Sequence, residues 1–216
     1  MIYYDIHTHH LPESYDEKVV SIFNAFPQEY AKYKDIDNVN LYFSVGIHPW
    51  YLEDLDAQFD ALYKSLEDKR VVAIGEAGLD KICGTKIDLQ LEVFRKQIEM
   101  SIETDKPLIV HCVKAWDELI ALYKEYKPST EWIVHGFRGK WQLARQLSTL
   151  GLKLSFGSKF QPLALQNIAL DSIFIESDES EQSIVSICQK VSVFYGISID
   201  EFLSVVGGNV VKTFRM

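Results

Sequence analysis

Two periodicities alternate along this chain. Short apolar runs ending in polar or ligand-type side chains are followed, from residue 55 onward, by stretches whose apolar positions recur three and four apart. The short runs predict eight strands: Ile2–His7, Lys18–Phe23, Leu41–Gly46, Val71–Glu76, Pro107–His111, Trp132–His135, Leu152–Phe156 and Ser172–Glu176. The spaced stretches predict helices. Leu55, Phe59, Leu62 and Leu66 mark one apolar stripe, and Leu91, Phe94, Ile98 and Ile102 mark another on a helix over 87–104. Trp116–Tyr126, Leu143–Leu150, Pro162–Ala169 and 181–194 repeat the pattern, Pro27–Lys34 begins a further helix, and His10–Glu17 is too short to hold one. Ser198-Ile-Asp-Glu201 has capping-box spacing, and Asn209 is placed as the cap of the terminal helix. Strand and helix alternating in this way predict an α/β fold, a (β/α)₈ TIM barrel that is compact and slightly abbreviated, as one domain over residues 1–216.

Composition supports a buried core and narrows the partners. Of the 216 residues 47% are hydrophobic, enough for one well-buried domain. A net charge of −9 argues against tight nonspecific binding along a nucleic-acid backbone, although bound divalent cations would reverse the charge within a cleft. Cys83, Cys112 and Cys188 form no paired framework, which fits a reducing compartment. No apolar run reaches membrane-spanning length and no signal-peptide pattern opens the chain, so the expected location is the cytoplasm.

Candidate chemistry lies at the strand ends. His7 and His9 have period two, so both imidazoles share a face, while His10 falls on the opposite one. Glu76 closes the fourth run between Gly75 and Gly78, His111 and His135 close the fifth and sixth, and Asp178 follows the eighth. Six imidazole and carboxylate side chains at the same end of the strands, with no cysteine among them, favour a dinuclear nitrogen and oxygen site for Zn²⁺, Mn²⁺ or Mg²⁺ over a structural zinc. His48 and Arg138, both placed on rim loops, are the candidates for substrate contact, and Asp80 is read as orienting its neighbouring loop.

The motifs Asp5-Ile-His-Thr-His9, Gly46-Ile-His-Pro49, Ile74-Gly-Glu-Ala-Gly-Leu-Asp80, Val110-His111, His135-Gly-Phe-Arg-Gly139, Ser155-Phe-Gly157 and Glu176-Ser-Asp178 together resemble the TatD family of metal-dependent deoxyribonucleases, within the amidohydrolase superfamily. The resemblance implies that His7, His9 and Asp178 hold one ion, that His111 and His135 hold the other, and that Glu76 bridges them. It implies a hydrolase of phosphoesters, with DNA or oligonucleotide ends as substrate. Asp178 would act as general base toward a water activated by the ions. Two departures bear on substrate. Cys112-Val113 follows His111 where the family usually carries Ser-Arg, with Lys114 the next cation, and the loop after Asp178 is short. Two alternatives stay open: hydrolysis of a small amide, lactone or phosphomonoester on the same site, and a catalytically silent metal-binding scaffold. No membrane or stable protein partner is expected.

Overall fold

The computed structural model of the chain describes residues 1–12 and 14–216. Its strands are β1 (Tyr3–Thr8), β2 (Val19–Ala25), β3 (Leu41–Val45), β4 (Val71–Asp80), β5 (Leu108–Val113), β6 (Trp132–Val134), β7 (Lys153–Phe156) and β8 (Ile173–Ile175), and their order in the sheet follows the chain. Helix α1 (Leu55–Ser65) follows β3, α2 (Ile87–Thr104) follows β4, α3 (Trp116–Tyr126) follows β5 and α4 (Trp141–Leu150) follows β6. After β7 comes the short α5 (Pro162–Gln166), and after β8 come α6 (Ile184–Tyr195) and α7 (Ile199–Phe214). Among the described residues no single helix is long and apolar enough to cross a membrane.

The chain divides into two compact units, each described by itself. The first comprises residues 1–23, 38–42 and 133–216. Within it β1 pairs with β2, β6 with β7 and β7 with β8, all parallel, and Thr8 is bridged to Asp178. Its last helix lies close on β1: a Cβ at Gly207 would stand 3.2 Å from the Tyr4 ring. The terminal helix needs no cap at Asn209, contrary to expectation. α7 runs unbroken from Ile199 to Phe214, and the Asn209 amide instead donates to the carbonyls of Leu170 and Ile173, both at 3.0 Å, tying the helix to the start of β8. The expected cap at Ser198 is present, its hydroxyl accepting the Glu201 amide at 3.1 Å.

The second unit comprises residues 24–37 and 43–132. Here β3 pairs with β4 and β4 with β5, again parallel. β4 is buried along its ten residues and continues past Glu76 to Asp80, four residues beyond the expected end. Gly78 permits this, since a Cβ there would lie 2.0 Å from the carbonyl oxygen of His111 on the adjacent strand. In place of the helix expected over Pro27–Lys34 there is a single 3₁₀ turn, Tyr30–Lys32, anchored by the Tyr30 hydroxyl on Asp68 at 2.5 Å. The face of α1 also differs from its apolar stripe: Gln58, Leu62 and Ser65 are buried while Phe59 is half-exposed beneath the Lys96 ammonium. Gln58 turns inward because its amide donates to the carbonyls of Tyr51 and Glu53.

Candidate metal centre

Each unit brings its own group of imidazoles and carboxylates together. In the first, β1 places His7 and His9 with their ring centroids 4.9 Å apart and the planes nearly perpendicular, and His135 at the end of β6 brings its ring to 4.4 Å from His7. Asp178 is held to β1 by its backbone, its N–H donating to the His7 carbonyl at 2.9 Å and its carbonyl accepting from His9 at 3.2 Å. That clamp holds Asp178 at φ 55°, a left-handed conformation that a short acidic side chain tolerates. One Asp178 oxygen then stands 4.0 Å from His7 Nε2 and 3.8 Å from His9 Nε2. These separations are too long for hydrogen bonds and suit donors converging on one ion from about 2 Å each. The donor atoms of His7, His135 and Asp178 all lie within 4.8 Å of one another.

In the second unit the donor atoms of His48, Glu76 and His111 meet the same limit. One Glu76 oxygen lies 2.5 Å from His111 Nδ1 and 3.2 Å from His48 Nε2. Its own N–H donates to the Asn24 side chain at 2.6 Å, which fixes the end of β4. His48 lies on the loop after β3, as expected, and is buried there, 6% exposed. Its Nδ1 accepts the Trp50 amide at 3.2 Å, so the ring proton sits on Nε2 and faces Glu76. His48 therefore steadies Glu76.

Both groups share a second device, an imidazole backed by a wholly buried carboxylate. His111 presents Nε2 to Asp80 at 3.2 Å, leaving Nδ1 toward Glu76. His135 turns Nδ1 toward Glu176 at 3.6 Å. A carboxylate behind a histidine fixes the tautomer and raises its basicity as a ligand. Burial works against charge on Asp80, but the Trp50 indole N–H and the Ile82 amide outweigh it and hold the carboxyl below its ordinary range. Burial likewise opposes charge on Glu176, and the contact with His135 reverses the direction. Asp5 is different: burial pushes it up to about 7 against two hydrogen bonds from Ser177.

Positions from the sequence fall as follows. His7, His9, His135 and Asp178 assemble in one unit, and Glu76 and His111 in the other. Arg138 is exposed, with one guanidinium nitrogen 3.7 Å from the outer oxygen of Asp178. His10 is exposed, on the surface beside Leu11. Lys114 is exposed just beyond β5. The pattern reading missed the supports, namely Asn24, Glu176, and above all Gln90 and Gln97. The Gln97 amide pairs with both backbone groups of Ile47, at 2.7 and 3.0 Å, and the Gln90 amide does the same for Asp80, at 2.7 and 2.9 Å. Two amides seven residues apart on the buried side of α2 were the available signal.

An N- and O-donor set without thiolate, with its histidines backed by carboxylates, fits borderline or hard divalent ions. Parallel strands in chain order with imidazoles and carboxylates at their C-terminal ends define the class, a metal-dependent hydrolase on a (β/α)₈ TIM barrel. Residues 18–215 match the model of the TatD related DNase family, and the chain belongs to that family. It is 28% identical over 199 residues to the metal-dependent hydrolase YabD of Bacillus subtilis, covering 82% of this chain and 78% of YabD. It is 30% identical over 146 residues to the human 3'-5' RNA nuclease TATDN2, covering 62% of this chain and 19% of TATDN2. Among solved structures, YJJV, a TatD homologue from Escherichia coli K12, superposes with a TM-score of 0.86 at 23% identity, over 99% of this chain and 98% of that one. The chain is thus a TatD-family metal-dependent hydrolase acting on ester bonds.

Proposed function

We propose that this enzyme hydrolyses phosphodiesters at the ends of DNA or other single-stranded oligonucleotides, with two divalent ions, Zn²⁺, Mn²⁺ or Mg²⁺. The observation that carries this reading is the pair of donor groups, one in each unit, each with a histidine backed by a buried carboxylate. Bound divalent ions supply charge neutralisation at the attacked ester and bring the pKa of a water toward neutrality. His7, His9, His135 and Asp178 would hold one ion, and Glu76 and His111 the other. The free oxygen of Asp178 takes the proton of the attacking water, with Arg138 beside it to meet a phosphate oxygen. The similarity to TATDN2, a 3'-5' RNA nuclease, supports a nucleic-acid substrate.

A metal-supplemented panel tests the reading, comparing single-stranded DNA, duplex DNA, RNA, a phosphodiester dye ester and a lactone. Turnover of phosphoesters alone is expected. Lactone-only turnover would move the assignment to small esters, and inactivity with every metal would favour a silent scaffold. The sharing of Glu76 between both ions, which the resemblance implies, predicts that Glu76→Gln loses more metal on dialysis than Asp178→Asn. Equal metal content in the two variants argues against it.

A further inference from the structure

The surface left open beside His48, Glu76 and His111 is aromatic. Trp50 and Tyr51 are 50% and 47% exposed, yet both are fixed in place. The Trp50 indole N–H donates to the buried Asp80 carboxylate at 2.7 Å, and its ring stands nearly perpendicular to those of His48 and His111, at 5.1 and 6.2 Å. Tyr51 is tied through its N–H to the His48 carbonyl at 3.0 Å and through its carbonyl to Gln58 at 2.9 Å, and its ring packs edge-on against Phe26 at 5.2 Å. A surface tryptophan has no structural need of a buried carboxylate, least of all the one that backs His111.

We propose that Trp50, with Tyr51 beside it, is the stacking platform for the base of the nucleotide being hydrolysed. This inference rests on the phosphodiester reading above and names how the substrate is gripped. Every nucleobase offers a flat π face, so stacking is tolerant of sequence and independent of charge. Independence of charge matters in a chain of net charge −9 whose residues after His111 are Cys112 and Val113. The indole lies within a nucleotide's own length of His111, so a stacked base leaves its phosphate at the donor group. A single-stranded end can swing its last base onto the ring at little cost, whereas a duplex interior must first break pairing and stacking. Preference for ends follows from the platform itself.

The test crosses substrate with variant. Cleavage of a short oligonucleotide in Mn²⁺ is compared with that of the same oligonucleotide carrying an abasic residue at its end, for wild type, Trp50→Phe, Trp50→Leu and Tyr51→Leu. Fluorescence anisotropy in chelator gives the same comparison without turnover. Wild type is expected to prefer the intact end about 10- to 100-fold in KM. Trp50→Phe should keep most of that ratio, Trp50→Leu should lose it, and Tyr51→Leu, which leaves Asp80 untouched, should reduce it. A tryptophan acting only through Asp80 would lower kcat for both oligonucleotides and preserve their ratio. That outcome in Trp50→Leu and Tyr51→Leu, or a wild type indifferent to the base, overturns the platform while leaving the nuclease reading intact. If neither oligonucleotide is cleaved where a dye phosphodiester is, the nucleic-acid reading itself fails, and the platform with it.

Discussion

A histidine ligates well only when something fixes which nitrogen carries its proton, and here Asp80 does so for His111 from complete burial. Asp80→Asn should therefore weaken Mn²⁺ binding by about 10- to 100-fold, measured by isothermal titration, since an amide has one acceptor oxygen where the carboxylate uses two, one toward the Trp50 indole and His111 and the other for the Ile82 N–H. Unchanged affinity would deny the backing role. Burial has the opposite use at Cys112, the residue after His111, whose thiol is pushed up to about 12. At pH 8 it stays protonated and hence a poor nucleophile. Native protein treated with iodoacetamide at pH 8 is expected to keep Cys112 and Cys188 unmodified by mass spectrometry, Cys188 being pushed up to about 12 by burial as well. Both should react once the chain is denatured, and rapid native labelling of Cys112 would contradict its raised pKa.

At the scale of elements, α2 serves two strand ends at once. Gln90 and Gln97 give each end the donor and acceptor that a neighbouring strand would supply, which is why two amides interrupt an otherwise apolar face. Gln97→Met keeps the volume and removes both bonds to Ile47. Leaving those two buried backbone groups unpaired is expected to cost about 2–5 kcal/mol, read from the urea midpoint. A loss under about 1 kcal/mol would mean that water replaces the amide. The same helix shows why legibility was uneven. Its extent over 87–104 was plain from Phe94 and Ile98, but a stripe drawn through apolar residues put Ile102 on the core side, where Ser101 is buried instead. Periodicity reads burial through hydrophobicity, so it finds strands that end in histidines and overlooks polar residues whose burial is satisfied by backbone. Asn209, read as a cap, and Glu176, read only as part of a motif, were missed for that reason.

For the molecule as a whole, charge sets how nucleic acid is met. With −9 overall and Arg138 the cation beside Asp178, few phosphates can be neutralised. Contact with one to three of them predicts a log–log salt slope for single strands between roughly −0.7 and −2. Cleavage of a labelled oligonucleotide across potassium chloride concentrations measures it, and a steep slope with tight binding to duplex interiors would reveal a basic groove. The division into two discontinuous units has a further consequence, in the order of synthesis. Glu76, His48 and His111, with Asn24, Asp80, Gln90 and Gln97 behind them, all belong to the unit made of residues 24–37 and 43–132. That unit has every part before residue 133 is added, whereas His7 and His9 are made early and wait for Asp178. Since the nascent chain gains structure as complete units emerge, ribosome-arrested chains ending near residue 170 should resist protease over residues 43–132 while the segment around His7 and His9 is still cut.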